Sequence, residues 1–198
     1  MLKVNLNKSN FMSKHIVFGG DGFLGQEVIK KLKQLQNIKI IVVDIKNSSK
    51  QKYSFIKCDI SKIDQLKNIP LEKDDVVHHL ASKLIIPNKP RFNRFNYFES
   101  TTVTGTKNIL SLMRENNCKN LIFWSTDMVY GNKGNFPISE EYRPAPLGDY
   151  GETKFLAEKL ISNEIKNAGL RCTIFRPRLI IGTGRLGILK NLFFLAKH

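Results

Sequence analysis

Long uncharged apolar runs are absent from this 198-residue chain, and with them any candidate membrane span. No charged start followed by a short apolar stretch marks a secretion signal. Cysteine is scarce. Cys58, Cys118 and Cys172 are odd in number and show no C-x-x-C spacing, which argues against a disulfide framework or a zinc ribbon and points to a reduced, cytoplasmic protein. Acidic residues are also few, 17 Asp and Glu against 32 Lys and Arg, for a net charge of +15. An excess of that size suits nucleic acid or small anions. Here, however, the basic residues are mostly lysines scattered among Asn and Ile. Lys30, Lys31 and Lys33 fall on the polar side of one helical pattern. A solvated face accounts for them, and no nucleic-acid partner is expected. Internal repeats are absent too, so the length corresponds to one domain with enough material for a core.

The most informative stretch runs from Lys14 to Leu35. A β-branched and aromatic run, His15 to Phe18, reads as a buried parallel strand. Glycines follow, and then Phe23, Leu24, Val28, Ile29, Leu32 and Leu35 recur at helical spacing. Gly19, Gly22 and Gly25 form G-x-x-G-x-x-G, with an extra Gly20. In such a unit the first glycine permits the tight turn, the second lets a pyrophosphate approach the backbone, and the third lets helix and strand pack closely. The helix N-terminus then offers its free N–H groups and dipole to the phosphates. A carboxylate at Asp21 would repel them, so its side chain is expected to point away. Ile38 to Val43 is a second apolar run and ends in Asp44, roughly 20 residues beyond the glycines, where an acid takes the ribose hydroxyls of NAD. The same acid repels the 2′-phosphate of NADP, and nearby Lys46 softens that preference without reversing it. NAD is the expected cofactor.

Further along, strands are expected at Ser54–Cys58, Val76–Leu80, Asn120–Trp124 and Cys172–Phe175. Helices are expected from about Tyr97 to Asn116 and from Tyr150 to Asn167. Ile85 to Phe95, with Pro87 and Pro90, reads as a loop. Gly105 inside a helix costs roughly 1 kcal/mol against alanine, so it is expected to permit close packing on a neighbour. His78 and His79 lie inside a strand without partners at metal spacing, and no metal site is expected. Residues 1–13 are polar and aperiodic, an expected disordered leader, and Met12 is a candidate start of translation. Residues 14–198 form the expected NAD-binding domain. Alternating strands and helices call for an α/β fold of the Rossmann type, a doubly wound parallel sheet with helices on both faces. Ligands on such sheets bind beyond the carboxyl ends of the strands, where Gly19, Asp44, Asp59, Ala81, Thr126 and Arg176 all fall.

Tyr150 and Lys154 make Y-x-x-x-K at a helix start, so both side chains share one face. A phenol with a pKa near 10 is a poor base at neutral pH; half ionisation there needs a shift of about 3 units, about 4 kcal/mol. A neighbouring ammonium and a cationic nicotinamide ring act in that direction. A surface Tyr and Lys on an amphipathic helix is the alternative for the pair taken alone.

With these motifs in place, the chain resembles the extended short-chain dehydrogenase/reductase family, in its nucleotide-sugar epimerase/dehydratase branch. The resemblance rests on G-G-D-G-F-L-G (Gly19 to Gly25), V-V-D (Val42 to Asp44), C-D-I (Cys58 to Ile60), H-L-A-S (His79 to Ser82), V-T-G-T-K-N-I-L (Val103 to Leu110), S-T-D-M-V-Y-G (Ser125 to Gly131), Y-G-E-T-K (Tyr150 to Lys154) and F-R-P-R-L-I-I-G (Phe175 to Gly182). It implies that Tyr150 takes the proton of a sugar hydroxyl while hydride passes to NAD. Lys154 would hold the nicotinamide ribose and depress the Tyr150 pKa, and Thr126 would hydrogen-bond the reacting oxygen. Asp127 is a candidate catalytic acid, with a loop-capping carboxylate as the alternative. The cofactor-binding residues implied are Gly19, Gly22, Phe23, Leu24, Gly25, Asp44, Asp59, Ile60, Leu80, Ala81, Ser82, Ser125, Tyr150, Lys154 and Arg176. Arg176, Arg178 and Arg185 are also candidate diphosphate contacts, each with an ordinary surface arginine as its alternative. Gly182, Gly184 and Gly187 suggest a mobile substrate loop.

Three departures from the family pattern qualify this reading. Thr102 stands where the family usually has Asn. Met128 follows Asp127 where 4,6-dehydratases have Glu, and it cannot transfer a proton, so epimerisation or simple dehydrogenation is expected over dehydration. The chain also ends before the last strand and small sugar-gripping domain that the resemblance implies, so the substrate domain is expected to be missing or truncated. The expected function is an NAD-dependent nucleotide-sugar epimerase/dehydrogenase, with a homodimer built on helices 97–116 and 150–167. The alternatives are an NAD-dependent reductase of a small hydroxylated or steroid-like substrate, and a truncated NAD-binding domain without catalytic activity.

Overall fold

Short runs of β-branched and aromatic residues become the strands of one sheet. The computed structural model of the chain describes residues 13–47, 53–83, 90–132, 137–183 and 185. The strands are β1 (Ser13–Phe18), β2 (Ile38–Asp44), β3 (Ser54–Lys57), β4 (Val76–His79), β5 (Asn120–Trp124) and β6 (Arg171–Phe175). Their order is β3-β2-β1-β4-β5-β6, and every pairing is parallel. The winding reverses direction between β1 and β4, so a crevice opens beyond their carboxyl ends. Five helices connect the strands: α1 (Phe23–Leu32), α2 (Ile63–Leu66), α3 (Arg94–Glu99), α4 (Gly105–Glu115) and α5 (Gly148–Ala168).

Register sets the two faces. Val43, Phe18, His79, Phe123 and Ile174 lie side by side in one row, and Val42, Val17, His78, Ile122 and Thr173 form the next. Because successive residues point to opposite faces, the two rows enter separate cores. Ile29 and Leu32 of α1 cover Val17 and Val42. Leu66 of α2, Ile109 and Met113 of α4, and Ala157 and Ile161 of α5 cover Phe18, Ile41, Val43, Val77 and Phe123 on the other side. Helices thus lie on both faces of a parallel sheet, as the strand–helix alternation predicts. The end of α5 is secured where Gly169 adopts φ 65° and Lys119 Nζ donates to the Ala168 carbonyl at 2.9 Å.

Several boundaries differ from expectation. Ser13 is already part of β1, while residues 1–12 of the expected leader lie outside the described residues. Residues 84–89 of the expected proline loop also lie outside them, and a helix begins at Arg94, just after Asn93 at φ 58°. The helix expected over 97–116 is interrupted by a π-helical turn, Ser100–Thr104. A run of three threonines and a valine, Thr101 to Thr104, is a poor α-helix former, and π-turns occur as single wide insertions inside α-helices. Gly105 follows directly, and a Cβ there would lie 2.5 Å from Ile60 Cδ1, so the close packing foreseen for it is against Ile60. The four-residue α2 is too short to leave a helical period in sequence.

Two histidines are buried in the sheet. His78 faces His15 across the strands at 2.8 Å, and burial, with His15 adding to it, lowers its pKa to about 4. His79 bonds Thr106 Oγ1 at 2.9 Å; burial first and the Lys154 charge second push it down to about 3. In the unfolded chain both titrate near 6.5. The unfolded state therefore binds the extra protons as pH falls through 6.5, and stability contributed by the neutral rings is lost from about pH 6.5 down to about 4 for His78 and about 3 for His79. Melting temperature followed by circular dichroism is expected to fall across that window, and His78→Gln is expected to flatten the fall. Identical slopes for the two proteins would contradict this account.

Candidate functional site

At the carboxyl edge of the sheet the chain turns sharply after β1. Gly19 sits at φ 80°, donates its N–H to the Val43 carbonyl at 2.8 Å, and lies flat on the next strand: a Cβ there would be 2.5 Å from Ala81 N. A Cβ on Gly25 would collide with the Gly19 carbonyl oxygen. Gly22 caps α1 without any side-chain bond, and no acid occupies the first helical turn. The first N–H groups of α1, beside Phe23 and Leu24, therefore open without a capping side chain toward the hollow beyond the sheet's carboxyl edge, where they can meet an anion.

Asp44 ends β2 beside this turn. Its Oδ2 accepts the Asp21 N–H at 3.0 Å and its Oδ1 the Ile45 N–H at 2.7 Å. Burial raises its pKa, and these N–H bonds pull the other way. Asp59 holds the next loop, its Oδ1 accepting the Ser61 N–H at 3.0 Å and the Ser61 hydroxyl at 2.7 Å. Ile60 is buried beneath Gly105, and its carbonyl accepts from Asn108 Nδ2 at 2.8 Å. Leu80 extends β4 by donating its N–H to the Phe18 carbonyl at 2.9 Å. That places Ala81 and Ser82 over the crevice.

On the far side of the crevice, Thr126 caps a one-turn 3-10 helix, Asp127–Val129. Its Oγ1 accepts the Met128 N–H at 3.3 Å and donates to Asp127 Oδ1 at 3.3 Å. Asp127 lies 3.9 Å from the exposed Arg178 guanidinium. The start of α5 presses against this turn: Leu147 N–H donates to the Met128 carbonyl at 3.2 Å, and a Cβ on Gly151 would stand 2.8 Å from that oxygen. This close approach seats the start of α5, which bears Tyr150 and Lys154, on the turn that Thr126 opens. Tyr150 is packed edge-on against Phe98 with centroids 5.4 Å apart. Burial pushes its phenol up, opposed by a hydrogen bond with Ser82 and by the Arg185 charge. Lys154 is 2% exposed; its Nζ donates to the Trp124 carbonyl at 2.8 Å and lies 5.0 Å from the centre of the Phe123 ring. Burial lowers its pKa to about 8, with Glu158 acting against it. Lys154 is thus held by a main-chain carbonyl, and in this state the groups that draw the Tyr150 phenol down are Ser82 and Arg185.

Arg176 has its partners within the fold. Its Nε and Nη2 donate to Glu158 Oε1 and Oε2 at 3.0 and 2.6 Å, and its Nη1 donates to the Tyr130 hydroxyl at 2.7 Å. It is bound within the fold rather than held out toward a diphosphate. Glu158 and Tyr130 are site residues that the motif reading passed over. The available signal was an acid on the buried stripe of α5, between Lys154 and Ile161. Ser125 is buried, donates its N–H to the Phe175 carbonyl at 2.7 Å, and has no partner for its Oγ among the described residues. After β6, Gly182 and Arg185 form a bridge against the start of α1, with the Arg185 guanidinium 5.3 Å from the Phe23 ring centre. Gly184 and Gly187 lie outside the described residues.

The close-packed glycine turn, the uncapped helix start, the Asp44 carboxylate and the Ser125 hydroxyl, unpaired among the described residues, together fit a dinucleotide. Among the described residues no group of three or more His, Cys, Asp or Glu is placed to hold a metal, and no helix is long and apolar enough to cross a membrane. A shallow apolar groove of about 530 Å³ along Leu24, Val28, Leu32 and Leu35 contains none of the groups at Thr126, Tyr150 or Lys154.

Residues 15–192 match the model of the NAD dependent epimerase/dehydratase family. The chain is 30% identical to the UDP-glucose 4-epimerase of Lactobacillus helveticus over 88% of its own length and 54% of that protein's. It is 28% identical to a sterol-4-alpha-carboxylate 3-dehydrogenase (decarboxylating) of Candida albicans, over 96% of this chain and 57% of that one. The solved structure of UDP-glucose 4-epimerase from Brucella ovis in complex with NAD superposes with a TM-score of 0.72 at 25% identity, covering 83% of this chain and 51% of that chain. The chain thus spans about half the length of the proteins it matches. The turn, hollow and helix described above occupy the part that is shared, and the chain belongs to the NAD-dependent epimerase/dehydratase family of the extended short-chain dehydrogenases/reductases.

Proposed function

We propose that the chain is the NAD-binding half of a nucleotide-sugar epimerase/dehydrogenase acting on a sugar carbinol. The observation that supports this reading is the contact of the start of α5, the segment bearing Tyr150 and Lys154, with the turn that Thr126 opens. NAD would rest its pyrophosphate on Gly19, Gly22 and the start of α1, and its ribose on Asp44; when bound it supplies the hydride acceptor. Asp59, Ile60, Leu80, Ala81, Ser82 and Ser125 line the same edge. Tyr150 takes the hydroxyl proton of the substrate, and Thr126 donates a hydrogen bond to the oxygen as charge develops on it. Lys154, already desolvated, provides the cation that favours the phenolate. Met128 offers no second proton-transfer group beside Asp127, which supports epimerisation or dehydrogenation over elimination of water.

The kinship with UDP-glucose 4-epimerases supports a UDP-sugar substrate. A steroid-like carbinol is a second reading, supported by the kinship with the sterol dehydrogenase. It uses the same NAD half and differs in the part that grips the substrate. Buried free thiols at Cys58 and Cys118 are consistent with action in the cytoplasm. Two copies would pair through the outer faces of α4 and α5 to make a homodimer.

Replacing Tyr150 by Phe is expected to slow hydride transfer at least about a hundredfold, the ordinary weight of a general base. Reduced-nicotinamide fluorescence with UDP-glucose reads the rate, and calorimetry is expected to find NAD affinity within about twofold. A retained rate would reject Tyr150 as the base. Asp44→Asn is expected to narrow the NAD-to-NADP affinity ratio about tenfold, roughly one lost charge-assisted hydrogen bond; an unchanged ratio would remove Asp44 from the ribose. Light scattering at micromolar protein is expected to give twice the chain mass, and a monomeric mass would reject the pairing.

A further inference from the structure

Three separate contacts stitch the end of β6 to the turn that carries Thr126. Ser125 N–H donates to the Phe175 carbonyl at 2.7 Å, Asp127 N–H to the Pro177 carbonyl at 3.2 Å, and between them Arg176 Nη1 donates to the Tyr130 hydroxyl at 2.7 Å. Tyr130 closes the 3-10 turn that Thr126 opens. On its other side the same guanidinium grips Glu158 with two donors, at 3.0 and 2.6 Å. Glu158 lies one helical turn beyond Lys154, on the same buried face of α5. The guanidinium is also stacked 4.9 Å from the Tyr130 ring centre, so its plane is constrained by both partners.

We propose that Arg176 is a positioning residue that fixes Thr126 relative to Tyr150 and Lys154, through Tyr130 on one side and Glu158 on the other. The proposal rests on the reading that these three groups carry the chemistry. Its physical basis is geometric. The backbone contacts at Met128 hold α5 to the turn only near the start of the helix, at Leu147 and Gly151. Lys154 and Glu158 are one and two turns further along; Lys154 is tied to the Trp124 carbonyl, and the Arg176–Glu158 pair supplies the anchor furthest along the helix. Anchors spaced along α5 prevent the helix from pivoting about the first, and a misplacement on the ångström scale at a reacting group is enough to slow catalysis by orders of magnitude. The carboxylates and cations facing Lys154 are consistent with this. Glu158 on α5 supports its ammonium, Arg176 holds that carboxylate in place, and His79 on β4 is neutral. A buried ion pair gives little stability over well-packed apolar residues, so fold stability alone is a weak reason for its presence.

Tyr130→Phe keeps the stacked ring and removes only the hydroxyl. On the full chain with UDP-glucose it is expected to lower kcat about tenfold while KM and NAD affinity stay within twofold. Glu158→Gln preserves shape and is expected to lower the pKa of Lys154, read by NMR of the isotope-labelled side chain. In thermal melts the two substitutions are expected to be non-additive, because they share Arg176. A wild-type kcat in Tyr130→Phe, an unmoved Lys154 titration in Glu158→Gln, or additive melting shifts would each overturn the proposal. Should the unsubstituted chain transfer no hydride, the catalytic reading fails, and the Lys154 titration and the melting cycle decide the Arg176 tie by themselves. Arg176→Lys, which keeps the charge but loses the fork, is expected to lower kcat at least as far as Tyr130→Phe does.

Discussion

Two backbone segments meet at the carboxyl edge of the sheet with no side chain between them, and the rest of the site depends on that contact. Gly19 lies against Ala81 where β1 and β4 diverge, and Gly25 lies against the Gly19 carbonyl. With side chains excluded there, the first turn of α1 comes close enough to aim its N–H groups into the crevice. Substitution at either glycine would push the helix off the sheet before it touched any ligand. The packing of the sheet and the shape of this edge are therefore one construction, and Asp44, bonded to the Asp21 N–H of the same turn, is tied into it.

The second theme is the handling of charge away from water. Lys154 is almost fully enclosed, yet it keeps a pKa of about 8 beside the Trp124 carbonyl and the Glu158 carboxylate. A lysine desolvated this far is poised to respond to a single new partner. His79, also enclosed, stays neutral with its Nε2 committed to Thr106. Tyr150 lies at the other extreme: burial raises its phenol, so the cations that would lower it must act against desolvation. The site holds one cation and one neutral phenol ready, and it leaves the balance between them to what binds.

Arg176 joins these themes. A residue at the end of the last described strand connects to one 18 positions earlier on α5 and another 46 positions earlier on the turn that Thr126 opens. The motif reading gives Arg176 a phosphate as its expected partner, because an arginine beside a nucleotide site suggests one; the described partners are Glu158 and Tyr130. The deciding feature is the acid on the buried stripe of α5, which requires a cation for company.

Local patterns were enough to read much of this protein from sequence alone. Strand period, helical period and glycine spacing are properties of neighbouring residues, so the β1–glycine–α1 unit, the parallel sheet and the Tyr150–Lys154 face could all be anticipated. Even Gly105 disclosed a close contact, though not that Ile60 makes it. Tertiary structure alone decided the rest: the π-turn before α4, the His15–His78 pair, the carbonyl that holds Lys154 and the two partners of Arg176. The physical reason is the same in each case. Hydrogen bonds and desolvation depend on which distant groups packing brings within about 3 Å, and no local period encodes that distance.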